Sequence, residues 1–150
     1  MSSAAPAHRL RQTGFTLLEV MVVLVIIGLL IAIVAPNVLD NQDRAMVQKA
    51  RADIASLEQA VTLYRLDNFN PPTTEQGLEA LVRRPTVAPL PQNYRADGYL
   101  GRGRVPLDPW GNPYQYRSPG EHGRFDIFSF GADGRPGGEG INAEIGNWQL

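Results

Sequence analysis

Two groups of side chains in this 150-residue sequence could do chemistry, and they lie towards opposite ends. Late in the chain, Asp133, Glu139, Asn142 and Glu144 share a segment with Gly134, Gly137, Gly138, Gly140 and Gly146. Carboxylate and amide oxygens of this kind hold hard cations such as calcium. Their spacing is not that of an EF-hand, and on spacing alone a solvated, ligand-free loop is the simpler reading. Early in the chain, Glu19 sits inside the apolar run Phe15–Ala35, FTLLEVMVVLVIIGLLIAIVA, which only Thr16 and Gly28 otherwise interrupt. A carboxylate in lipid costs about 3 kcal/mol unless it is paired. Two readings of Glu19 stand at this level: it snorkels to the near interface, or it pairs with a cation inside the membrane.

Other chemistries have little to work with. Cysteine is absent, which removes disulfides, thiolate metal sites and a Cys nucleophile. The two histidines are His8 and His122, and no Ser/His/Asp, metal-His or paired-carboxylate arrangement is readable around either. An enzyme is not expected. The 14 basic residues form no run or helix face and the net charge is -1, so a nucleic-acid partner is not expected.

The elements that must position these groups follow from the pattern. Twenty-one residues from Phe15 to Ala35, at about 1.5 Å each, reach roughly 30 Å, the hydrocarbon thickness of a bilayer. The run is apolar on all faces, as a membrane span is and a small soluble domain's helix is not. Met1–Gly14 before it carries Arg9 and Arg11 and no acid, which favours a cytoplasmic N terminus. Pro36 predicts a kink or a melted turn. Beyond it Val47, Ala50, Ile54, Leu57, Val61 and Tyr64 recur every three or four residues, one apolar stripe on an amphipathic helix. The spacing predicts one helix from about Phe15 to about Asn68, stopped by Asn68, Asn70, Pro71 and Pro72.

The remainder reads as short pieces between turns. Thr73 and Gln76 have capping-box form and predict a small helix near 74–83. Trp110, among Asp108, Pro109, Gly111, Asn112 and Pro113, is read as core packing rather than a ligand site. Tyr114–Arg117 and the alternating Phe125–Phe130 predict two antiparallel strands. The whole is α+β: a long N-terminal helix packed against a small antiparallel sheet, followed by the Gly-rich loop.

Gly14-Phe15-Thr16-Leu17-Leu18-Glu19, after a basic leader and opening an apolar run, resembles the class III signal of type IV pilins and pseudopilins. The stretches Thr74-Glu75-Gln76-Gly77-Leu78, Asp108-Pro109-Trp110-Gly111-Asn112-Pro113-Tyr114, Phe128-Ser129-Phe130-Gly131-Ala132-Asp133-Gly134 and Ile145-Gly146-Asn147-Trp148 are similar to those of the major pseudopilins of type II secretion. The resemblance implies a pilin-like fold and a division into a leader (1–14), a transmembrane helix segment (15–36) and a periplasmic domain (37–150). It implies that a prepilin peptidase cuts after Gly14 and methylates Phe15. Glu19 would then pair with the Phe15 amine of a neighbouring subunit. It also implies one calcium ion, held by the Phe130 carbonyl, Asp133, Asn142 and Glu144, with Glu139 as a substitute. The family often has further Asp residues where this chain has Asn142 and Ala143, so this set carries less negative charge. The implied subunit sits in the inner membrane, polymerises with its own copies, and meets minor pseudopilins and an inner-membrane assembly platform. A type IV pilin, a minor pseudopilin and a single-pass anchored binding domain are the alternatives. Major type IV pilins usually carry a C-terminal disulfide loop, which this chain cannot form.

Overall fold

The computed structural model describes residues 15–150, apart from the side chains of 34–40. The leader and Gly14 lie outside the described residues. The described residues fall into two compact units, one ending at Asp40 and the other spanning Asn41–Leu150.

Helix α1 runs from Leu17 to Asn68, 52 residues. Thr16 starts it: its Oγ1 accepts from the Glu19 amide at 3.2 Å, the arrangement of an N-cap. Pro36 does not end the helix, which is the one long helix expected from about Phe15 to about Asn68; of the kink or melted turn expected at Pro36, the melted turn is absent. A proline removes one backbone donor, and a helix of this length outlasts that loss. In the first unit the side chains of 15–33 are all exposed. Among the described residues no helix is long and apolar enough to cross a membrane. The described side chains of the apolar run end at Ile33.

The second unit is built on the expected stripe. Ala50, Ile54, Leu57, Val61 and Tyr64 are buried, joined by Ala60, with Val47 half-buried beside them. They pack with Leu78, Leu81, Tyr114, Phe125, Ile127 and Ile145 in one core. Asn68 closes the helix. Its Nδ2 donates to the Tyr64 carbonyl and to the Tyr99 hydroxyl, both at 3.0 Å, and its Oδ1 accepts from the Asn93 amide at 3.0 Å. Phe69 follows with φ 68°, a left-handed residue just past the last turn.

The small helix expected at 74–83 is a four-residue 3-10 turn, Leu78–Leu81. The capping box itself forms: the Gln76 amide donates to Thr73 Oγ1 at 3.2 Å and the Thr73 amide to Gln76 Oε1 at 3.1 Å. Gly77 then takes φ 59°, which no α-helix continues through. Gln76 Nε2 is spent on the Val87 and Pro89 carbonyls, so the cap also pins the following loop.

Three short strands form an antiparallel sheet in the order β1-β2-β3: Gln115–Arg117, Asp126–Ser129 and Ile145–Gly146. Tyr116 pairs with Ile127, and Phe128 with Gly146. The central β2 is buried at all four positions and not at alternate ones. Ile127 enters the core shared with α1. On the opposite face Phe128 lies against Phe130 and Trp148, and Arg117 stands over its ring.

Candidate functional site

At the start of α1, Glu19 occupies the third position of the helix, its own amide held by Thr16. An acid there meets the positive end of the helix dipole, typically worth about 0.3–1 kcal/mol at an exposed site. Thr16 and Glu19 thus also have the spacing of a helix start, a reason for an acid here that the membrane argument did not supply. Phe15 precedes the helix and is exposed. Gly14 lies outside the described residues.

The Gly-rich loop begins at the end of β2. Phe130 is half-buried with its ring 5.3 Å from that of Phe128. Gly131 takes φ 83°, and a Cβ there would stand 2.6 Å from the Ile141 oxygen and 2.9 Å from the Ala143 oxygen. Only glycine permits that approach. The two limbs are joined by the Ala132 amide donating to the Ile141 carbonyl at 2.9 Å. Asp133 is exposed and its Oδ1 accepts from the Arg135 amide at 3.2 Å. Glu144 is half-buried and its Oε1 accepts from the Gly137 amide at 3.4 Å. Asn142 is half-buried, and its backbone closes a turn onto the Glu139 carbonyl at 3.1 Å. Glu139 is exposed.

These donors are all oxygens, which suits calcium or magnesium and not a softer ion. The structure brings the 141–143 backbone against Gly131 as a cradle of carbonyls. It does not gather the acids: among the described residues no group of three or more His, Cys, Asp or Glu side chains could hold a metal. The oxygen donors of Phe130, Asp133, Asn142 and Glu144 are of the type a hard cation takes, while Asp133 and Glu144 are engaged with backbone amides of their own loop.

Sequence reasoning missed the polar residues that hold this loop in place. Asp108 is buried, and its Oδ1 accepts from the Asn112 amide at 2.7 Å and the Trp110 amide at 3.1 Å. Its Oδ2 accepts from Ser129 Oγ at 2.6 Å, and that oxygen in turn accepts from the Gly131 amide at 3.0 Å. Asn112 Nδ2 donates to the Gly131 carbonyl at 3.3 Å. The turn around Trp110 and the first glycine of the loop are therefore one hydrogen-bonded unit. Trp110 itself is half-buried against the core, as expected. Asp-Pro in a turn sequence was the available signal; that the carboxylate faces inward was not.

Asp126 organises the next turn. It is buried on β2, and its Oδ2 accepts from the amides of Glu121 at 2.7 Å and His122 at 3.1 Å. Burial raises its carboxyl pKa, but hydrogen bonds from the His122 and Glu121 amides and the His122 ring outweigh that and leave it below the ordinary value of 3.8. Tyr114 joins sheet to helix by donating to Asp53 Oδ2 at 3.1 Å. Burial first, and the Asp53 charge second, push its phenol far above the usual range, so it is a permanent donor.

Comparison with known proteins covers the same segments. Residues 9–35 match the prokaryotic N-terminal methylation motif, and residues 37–148 match type II secretion system (T2SS), protein G. Type II secretion system core protein G of Vibrio cholerae is 59% identical over 93% of this chain and 94% of its own length. That of Pseudomonas aeruginosa is 54% identical over 94% and 98%. The crystal structure of the major pseudopilin from the type 2 secretion system of enterohaemorrhagic Escherichia coli superposes with a TM-score of 0.67 at 52% identity, covering 77% of this chain and 96% of that one. A long helix under a three-stranded sheet, with both matches in sequence along one chain, places it in the type II secretion system protein G family, the major pseudopilins.

Proposed function

We propose that this chain works as the major structural subunit of a type II secretion pseudopilus, added from the inner membrane to a filament that drives folded proteins through the outer membrane. One observation carries the reading: the methylation motif and the protein G domain follow each other in a single chain with one residue between the matched ranges. In this scheme a prepilin peptidase removes Met1–Gly14 and methylates Phe15. The apolar run anchors the subunit with its N terminus cytoplasmic and residues 37–150 periplasmic. Glu19 pairs with the amine of a neighbour's Phe15, which lowers the cost of its carboxylate in lipid and favours one axial stagger. Further partners are minor pseudopilins and the inner-membrane assembly platform. The work is mechanical, and no catalytic residue is assigned.

The first test is the intact mass of the membrane-extracted protein from cells with and without the peptidase. A peptidase-dependent loss of Met1–Gly14 with gain of one methyl group is expected. A chain that keeps its leader in both strains would sink the pilin pathway for this protein.

Calcium belongs to the same proposal. Phe130, through its carbonyl, with Asp133, Asn142 and Glu144, is the set proposed to hold it, Glu139 standing nearby in sequence. When bound, the ion would offset the charge of the loop's acids. Melting of the full chain in detergent should fall by a few degrees on chelation and recover with calcium but not magnesium. An unchanged melting temperature would remove calcium from the proposal without touching the filament role.

A further inference from the structure

The groove between α1 and the 100–107 segment has no role assigned above. It encloses about 740 Å³ and is lined by Lys49, Asp53 and Leu57 of α1 and by Arg102, Arg104 and Leu107 of the segment. The segment is a strap fixed at both ends. Before it, the Tyr99 amide donates to the Leu81 carbonyl at 2.7 Å, and the Tyr99 hydroxyl accepts from Asn68 Nδ2 at 3.0 Å. After it, the Asp108 amide donates to the Asn112 carbonyl at 2.8 Å. Between these anchors the Gly103 amide closes a turn onto the Leu100 carbonyl at 3.0 Å, with Gly103 at φ 59°. Gly101, Arg102, Gly103 and Arg104 are all exposed.

Charge is unbalanced here. Lys49 pairs with Asp53 at 2.6 Å, and the same Asp53 oxygen accepts from the Tyr114 hydroxyl at 3.1 Å. Arg102 and Arg104 have no ion-pair partner among the described residues. Three cations thus meet one carboxylate, although the chain as a whole carries a net charge of -1. In the same groove stands Leu107, an aliphatic side chain 56% exposed. Cations next to an exposed aliphatic chain match the boundary of an anionic bilayer, where phosphate and hydrocarbon lie close together. Arginine suits that boundary because its planar fork holds two phosphate oxygens at once. A free anion would engage the guanidinium groups and leave Leu107 wet.

We propose that this groove is a seat for the phosphate headgroup of an anionic phospholipid, with Leu107 entering the apolar boundary beside it. The proposal rests on the reading of Phe15–Ala35 as a membrane anchor, which tethers the chain to a bilayer. The tether matters because each cation near an anionic surface is worth only about fivefold in occupancy, too little for three of them to hold a free protein there. On an anchored chain they need only decide which surface of the second unit rests on lipid. A subunit seated in this way gives up the contact when it leaves the bilayer for the filament.

The test uses the full chain, highly diluted in vesicles of phosphatidylcholine alone or with about three parts in ten phosphatidylglycerol. The chain has no cysteine, so Gly101→Cys gives a single attachment point, and a Cβ there meets nothing within 4 Å. A fluorophore on it, with quenchers on the lipid headgroups, reads the approach of the strap to the bilayer. Quenching should be about threefold stronger in the anionic vesicles at low salt, and the difference should vanish at about 1 M salt, where charges are screened within roughly 3 Å. Arg102→Gln together with Arg104→Gln should remove the difference and leave the melting temperature in neutral vesicles unchanged. Equal quenching in the two vesicles, or a difference that survives the loss of both arginines, would overturn the inference. A difference that disappears as the protein is diluted further in lipid would give the surface to a second copy, and would overturn it too. A chain that alkaline carbonate strips from both vesicles would fail as an anchored subunit and take the inference with it, whereas retention with equal quenching sinks the inference alone.

Discussion

Asp108 and Asp126 carry the arrangement of the sheet's surroundings, and neither announces itself. Each is a carboxylate removed from water and repaid by backbone amides: Trp110 and Asn112 for Asp108, Glu121 and His122 for Asp126. For Asp126 this makes stability depend on pH in a fixed direction. The folded carboxyl of Asp126 lies below its ordinary value, so its contribution is complete above about pH 4 and is lost as pH falls through the folded value. Denaturant midpoints should drop as pH falls below about 4 in the unsubstituted protein. Asp126→Asn should be less stable at pH 7, with a flatter acid limb. An unchanged acid limb in that variant would show that other groups set it. The sequence placed Asp126 in an alternating strand and left Asp108 in a turn. Alternation assumes one wet face, and β2 has none.

At the scale of elements, the helix was the most legible part. A stripe at spacings of three and four, with prolines and asparagines after it, fixes both the buried face and the end, and Ala50, Ile54, Leu57, Val61 and Tyr64 are buried as that stripe requires. The short elements were less so. β3 is two residues long, and no periodicity exists in two residues. The 3-10 turn at Leu78–Leu81 carries a true capping box in front of it, and the glycine inside the pattern decided against an α-helix. The loop between β2 and β3 is glycine-rich for two different reasons, which substitution should separate. Gly131→Ala meets both a left-handed φ and carbonyl oxygens closer than 3 Å, and should cost about 2–4 kcal/mol. Gly137→Ala has a left-handed φ of 89° but open space, and should cost about 1 kcal/mol. Equal losses in urea titrations would mean that the loop moves freely enough to absorb the contact.

For the whole molecule, membership of the major pseudopilins was readable in short exact stretches, because a turn such as 108–114 needs particular residues at particular places. The candidate cation set was only half readable. Its oxygen donors were plain in the sequence, but Asp133 and Glu144 turn onto amides of their own loop, which depends on glycine torsions no pattern records. The role proposed for the N-terminal segment is a property of many copies together. Glu19→Ala should leave membrane insertion intact and reduce filament yield several-fold, seen by shearing and immunoblotting. Filaments at normal yield would reduce Glu19 to its place in the first turn of α1.

Asn147 links residues far apart in the order of synthesis, since it reaches Glu58 across 89 positions and Phe125 across 22. A ribosome that has reached residue 130 has already made the helix, the 3-10 turn and the β1–β2 hairpin. It has not yet made the strand and the asparagine that close them. A chain made only to that point therefore has one edge of β2 unpaired, and its sheet is completed only once residues 145–147 have followed. Until then the open edge is free to pair with any other strand it meets.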